Sequence, residues 1–189
     1  MQIKTFIYGF LCCVFLWLAS NACAESGTEE ESDSLKLSEK TVAGLLRVID
    51  LSKYEEPDSH YKITLNGKTI REINDADESD TNHFQGEAKP VMQRHFKKPV
   101  AGFDEVVVFQ QYSYGNACDG WDIWFLGLMR DKTYHISDEV PFCGGKAAVI
   151  KQKGNEITVI APGGKPNIGE GYIPTEKFVY SNGKIQKLH

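Results

Sequence analysis

The densest run of chemically capable residues is YSYGNACDGWDIWF, from Tyr112 to Phe125. It combines aromatic rings, small residues that admit a partner's backbone, and a cysteine able to brace the loop. Pre-ordering a loop lowers the entropy lost on binding, and Tyr and Trp are enriched among interface anchors. Tyr112, Ser113, Tyr114, Asn116, Asp119 and Trp121 are therefore the candidate binding residues, on a loop spanning 112–119. The same aromatics also suit a sheet interior. Trp121, Ile123 and Phe125 alternate onto one face, and Asp122 and Trp124 onto the other. Both readings stand at this stage.

Catalytic motifs fail one by one. Gln111-Tyr112-Ser113-Tyr114-Gly115 lacks the first glycine of a nucleophile elbow. Gly144-Gly145-Lys146 and Gly163-Gly164-Lys165 lack the upstream glycine and the following Ser or Thr of a phosphate loop, and read as turns. His60, His83, His95 and His135 show no metal-ligand spacing. Asp75, Asp77, Ser79 and Asp80 begin like a calcium loop. An EF-hand would then place Gly where Asp80 stands and Glu where Gly86 stands. Asp119 and Asp122 offer a second, equally unspecific carboxylate pair. The chain asks for no cofactor and no metal, and its expected chemistry is recognition.

Compartment follows from the first 24 residues. Lys4 precedes an uncharged run over 6–19, and Ala22-Cys23-Ala24 supplies small residues before a cleavage point. That is the layout of a secretory signal peptide, too short to span a bilayer as a helix. A lipidated N-terminus at Cys23 is the alternative, but the Leu usually found three places upstream is missing. The chain is expected in the periplasm or outside the cell. Loss of the leader removes Cys12, Cys13 and Cys23 and leaves Cys118 and Cys143, which in an exported protein read as a disulfide.

Residues 25–40 hold Glu25, Glu29, Glu30, Glu31, Asp33 and Glu39 against Lys36 and Lys40, and read as a flexible acidic tether. The remainder, 41–189, has the size of one domain. A net charge of -5 and scattered Lys and Arg exclude a nucleic-acid surface.

Hairpin signals dominate that domain. Asn66-Gly67 and Asn182-Gly183 each separate alternating runs, as type I′ turns require. Gly154-Asn155 marks a third hairpin and Arg130-Asp131-Lys132 a fourth. Val106 to Tyr112 is β-branched and continuous enough for a central strand. The pattern predicts an all-β, antiparallel sandwich, barrel or small propeller-like set of hairpins. Residues 42–51 read as a strand able to pair with 61–65, with a short N-terminal helix as the alternative. Residues 75–98 show no period and read as containing a long loop.

The order of a strand, Gly115-Asn116-Ala117-Cys118, a second strand, Phe142-Cys143-Gly144 and a Gly154-Asn155 hairpin resembles small exported bacterial β proteins. Periplasmic inhibitors of invertebrate-type lysozyme are among these. The resemblance spans roughly 61–162 and is one of layout. It implies a loop inserted into a muramidase cleft. Related inhibitors present Ser-Gly before a Tyr, where this chain has Tyr112-Ser113-Tyr114-Gly115, so no inhibitory residue is carried over. The resulting expectation is a non-enzymatic envelope protein, an inhibitor or immunity-type protein against a lysozyme-like hydrolase or toxin. The alternative is a carbohydrate-binding module stacking sugars on Trp121 and Trp124, or a carboxylate-based hydrolase.

The cysteine pair gives the first test. Native, non-reduced protein should show no titratable thiol, and Cys118→Ser should cost about 2–5 kcal/mol in denaturant unfolding. Two titratable thiols would remove the disulfide.

Overall fold

The computed structural model describes residues 34–52, 60–74, 89–114, 119–142, 147–165 and 171–188. All belong to one compact unit that begins at Asp33. They form thirteen strands in three antiparallel sheets, with no helix among the described residues. The first sheet joins β1 (Ser34–Thr41), β2 (Gly44–Asp50), β3 (His60–Leu65) and β4 (Lys68–Asn74) in chain order. The second joins β5 (Val91–Phe96), β6 (Glu105–Tyr114), β7 (Asp119–Leu128) and β8 (Tyr134–Ile136), while β9 (Val140–Phe142) also pairs with β7. The third joins β10 (Val149–Lys153), β11 (Glu156–Ala161), β12 (Glu176–Ser181) and β13 (Lys184–Leu188). Each sheet is an open meander, so the sheets do not close into a barrel.

The sheets stack with the β5–β9 sheet in the middle. Val107, Phe109, Trp124, Leu126 and Leu128 share a core with Leu46, Val48, Tyr61, Ile63 and Ile73 of the first sheet. On the opposite face, Val106, Val108, Ile123 and Phe125 share a core with Ile157, Val159, Ala161 and Tyr180 of the third. Burial on both faces is the reason β6 and β7 read as continuous apolar runs, whereas an outer strand such as β11 alternates. Aromatic stacking acts both within the central sheet and between layers. Phe109 lies on Trp124 with centroids 4.4 Å apart, and Phe125 lies on Tyr180 at 4.2 Å. Phe103 covers β7 at Gly127, where a Cβ would come within 2.6 Å of its ring.

The Asn-Gly turns form as expected, with positive φ at both residues: 52° and 79° at Asn66-Gly67, and 48° and 76° at Asn182-Gly183. Asn66 does more than turn the chain. Its Oδ1 accepts from Leu45 N at 3.0 Å and its Nδ2 donates to Ala43 O at 2.8 Å, which fixes the β1–β2 turn.

Three expectations change. The helix alternative at 42–51 is not taken: β2 runs through it and pairs with β3 from Leu46↔Leu65 to Asp50↔Tyr61. The tether expected over 25–40 gives way to β1 from Ser34, because β2 supplies a ladder and Leu37 a place on the core. Charge density argued for solvation, but the alternation of Leu35, Leu37 and Glu39 lets charged and apolar residues occupy a strand together. The long loop expected over 75–98 also ends sooner, at β5. The leader, with Cys23, lies outside the described residues.

The fold is polarised along its strands. At one end the connections are 42–43, 66–67, 97–104, 129–133, 154–155 and 182–183. At the other lie the ends of β2, β4, β6, β9, β11 and β13 and the starts of β1, β3, β5, β7, β10 and β12. Cross-sheet bonds align the short-turn ends: Val42 N donates to Glu105 Oε2 at 2.9 Å, Ala101 N to Asn155 O at 3.0 Å, and Asn182 N to Ala101 O at 2.7 Å.

Tyr180 supplies a test of packing. Its ring is fully buried, its hydroxyl has no hydrogen-bond partner, and burial pushes its phenol pKa well above the ordinary tyrosine range. Tyr180→Phe should therefore stabilise the protein, by about 1 kcal/mol, by removing a desolvated hydroxyl without opening a cavity. Tyr180→Ala should cost about 3–5 kcal/mol. Urea unfolding of the two variants separates the ring's contribution from the hydroxyl's.

Candidate functional site

The β6–β7 hairpin carries most of the sequence candidates. Its strands pair over ten positions, from Glu105↔Leu128 to Tyr114↔Asp119, because both strands alternate without interruption. Neighbouring strands stop short of its tip. β5 reaches only Gln110, through Val91, and β9 reaches only Trp121, through Phe142. Among the described residues, Ser113-Tyr114 and Asp119-Gly120 thus pair with each other alone, and the hairpin extends past the described ends of β5 and β9. The expected 112–119 loop is a strand at both ends, with Tyr112 opposite Trp121 and only 115–118 as the connection. In the sequence, Cys118 directly precedes β7 and Cys143 directly follows β9. Cys118, Cys143, Asn116, Asp75 and Asp77, and the side chains of Tyr112, Ser113, Tyr114, Asp119 and Trp121, lie outside the described residues.

Polar groups gather at the hairpin's base. Trp124 is fully buried, so it is core and no stacking platform for a sugar. The Arg71 guanidinium sits 4.4 Å from its ring centroid and bonds to Glu139, joining the β4 edge to the central sheet. Trp124 Nε1, Gln110 Oε1 and Gln111 Oε1 are buried without hydrogen-bond partners, at three successive register positions of β6 and β7. Half-buried Asp122 stands opposite Gln111, on the same sheet face as Trp124, whereas Gln110 lies on the other face. Among the described residues, no three His, Cys, Asp or Glu side chains are placed to share a metal ion.

A second cluster was not legible in the sequence. His95, on β5, directs Nδ1 to Glu39 Oε1 and Nε2 to Glu105 Oε2, both at 3.0 Å, with its side chain 6 % exposed. Lys97 Nζ lies 2.9 Å from Glu39 Oε1. The hydrogen bond from Lys97, followed by that from His95, holds the Glu39 carboxyl below the usual carboxylate range. Lys97 is raised in return, chiefly by its hydrogen bond to Glu39. Both ring nitrogens of His95 are committed to the fold, so the cluster acts as a clamp between β1, β5 and β6. Its only trace in sequence was the basic run 94–98, which says nothing of carboxylates 56 and 10 residues away.

The remaining features are structural. His60 bonds Glu72 at 2.6 Å, and His135 stacks on Phe103. At Gly163, a Cβ would stand 2.0 Å from Ile173 O, so its glycine serves a close backbone approach, and Gly164 bridges Ile173 where a turn was expected. Comparison with protein-family models, curated proteins and solved structures returns no match.

The Glu39 carboxylate has a definite pH signature. Its folded pKa lies below its unfolded value of about 4.5. Its contribution is therefore complete above that value and lost as pH falls through the folded pKa. Glu39→Gln should destabilise the protein at neutral pH and flatten the acid limb of the stability curve below about pH 4.5. Parallel acid limbs for variant and wild type would show that Glu39 is not held by this clamp.

Proposed function

We propose that the chain is an exported, non-enzymatic binding protein of the cell envelope, with the β6–β7 hairpin end as its recognition surface. The single observation carrying this reading is the hairpin's extension beyond β5 and β9. A projecting element on a rigid two-sided core can enter a cleft at low entropic cost. Half-buried Arg71 and Gln111, with buried Trp124, place polar groups beside the same hairpin. A lysozyme-like peptidoglycan hydrolase or an envelope toxin is the proposed partner class, in line with the inhibitor-like layout of 61–162. A carbohydrate-binding module is the weaker reading, because Trp124 is buried between two sheets.

Replacing Tyr112, Ser113 and Tyr114 together by Ala tests the proposal. Loss of central interface anchors costs about 2 kcal/mol or more each, roughly thirtyfold in affinity per residue. The expected result is lost inhibition or capture of the partner with an unchanged melting temperature. A well-folded variant that retains full binding removes the hairpin as the recognition element.

A further inference from the structure

We infer that the outer face of the β10–β13 sheet docks on an anionic phospholipid surface. The inference stands on residues other than those of the β6–β7 hairpin and adds a membrane contact to the exported binding protein.

The register of the third sheet decides what that face carries. Ile150, Ile157, Val159 and Tyr180 belong to the core shared with the central sheet, so their neighbours along each strand point outward. Val149, Ile160, Lys177 and Leu188 are direct cross-strand partners and form one outward row over all four strands. The next row brings Lys151 and Val179, and the third brings Lys153, Glu156 and Lys184. Val149 is 46 % exposed and Leu188 41 %, and Tyr172, 69 % exposed, lies on the connection that follows β11 at the same end. Exposed apolar groups therefore line one end of the face, and lysines stand among and behind them.

Four lysines meet one carboxylate there, an excess of three positive charges on a chain whose net charge is -5. Glu176, the other carboxylate of these strands, is paired with Lys187. Among the described residues, no ion pair neutralises Lys151, Lys153, Lys177 or Lys184. The four strands hold no arginine.

That composition selects the occupant. Protein interfaces are depleted in lysine and enriched in arginine and aromatic residues. Polymers bearing phosphate or carboxylate groups are gripped best by the planar guanidinium fork of arginine. Lysine beside exposed aliphatic side chains suits a lipid headgroup layer. Its stems cover apolar surface, its ammonium groups reach anionic phosphates, and Val149 and Leu188 leave water.

The test is cosedimentation of the full exported protein with phosphatidylcholine vesicles and with vesicles in which a third of the lipid is phosphatidylglycerol. Binding to the anionic vesicles alone is expected, and it should weaken as salt rises from about 0.01 M to about 0.15 M. A variant with Lys151→Gln, Lys177→Gln and Lys184→Gln should bind on the order of a hundredfold more weakly, at about fivefold per lysine. Val149→Ser with Leu188→Ser should weaken binding about tenfold through lost apolar contact. Lys40→Gln, Arg47→Gln and Lys62→Gln make an equal change of charge on the outer face of the first sheet and should leave binding as in wild type. Matched melting temperatures show that each variant is folded, and the salt series on wild-type protein needs no variant.

The inference is overturned if neutral and anionic vesicles bind equally, if neither binds, or if the three-lysine variant binds like wild type. It is also overturned if the first-sheet variant loses as much, because net charge and not this face would then be responsible. Full vesicle binding by the Val149 and Leu188 variant, with equal affinity for soluble dextran sulfate, would make the ligand an anionic polymer and overturn the lipid reading.

Discussion

Burial of the β6–β7 hairpin from both sides is the constraint on which the rest of the molecule depends. Neither outer sheet has a second apolar partner. The first packs on Phe109, Trp124 and Leu126, and the third on Val108, Ile123 and Phe125. Each such side chain contributes on the order of 1.5–3 kcal/mol by leaving water. Alternation along two strands thus feeds two cores at once. A one-residue slip of either strand would exchange the residues offered to the two outer sheets, so the register is held from both directions.

The two ends of this hairpin have different duties. Near Glu105 and Leu128 it is fastened: Glu105 receives the Val42 amide, and the 97–104 connection bonds to the Asn155 and Asn182 turns. Toward Tyr114 and Asp119 its neighbours fall away. Rigidity at one end supports projection at the other, because a strand pair anchored in two cores cannot fold back.

The Glu39–His95–Glu105 clamp shows how polar chemistry joins the layers where apolar packing ends. Glu39 belongs to a segment whose composition argues for a solvated tether, and its strand reading lay hidden in three alternating residues. The opposing ladder of β2 and the imidazole of β5 are what order it. Neither partner is visible from within 25–40, since one comes from a hairpin closing at 42–43 and the other from the next sheet. The Arg71–Trp124–Glu139 contact is of the same kind, linking three positions up to 68 residues apart.

What the sequence by itself determined were the features with a local cause. Asn66-Gly67 and Asn182-Gly183 required positive φ and so marked hairpins, the continuous run Val106 to Tyr112 marked a central strand, and the four hairpin signals marked the class as all-β. The tertiary structure alone decided which sheet lies in the middle, that Trp124 is core, that β1 begins at Ser34, and that the candidate loop is the tip of a projecting hairpin. It also decided that His95 meets two carboxylates. The reason is range: turn chemistry and two-residue periodicity act between neighbours, whereas stacking of sheets and alignment of strand ends are set by contacts between residues far apart in the chain.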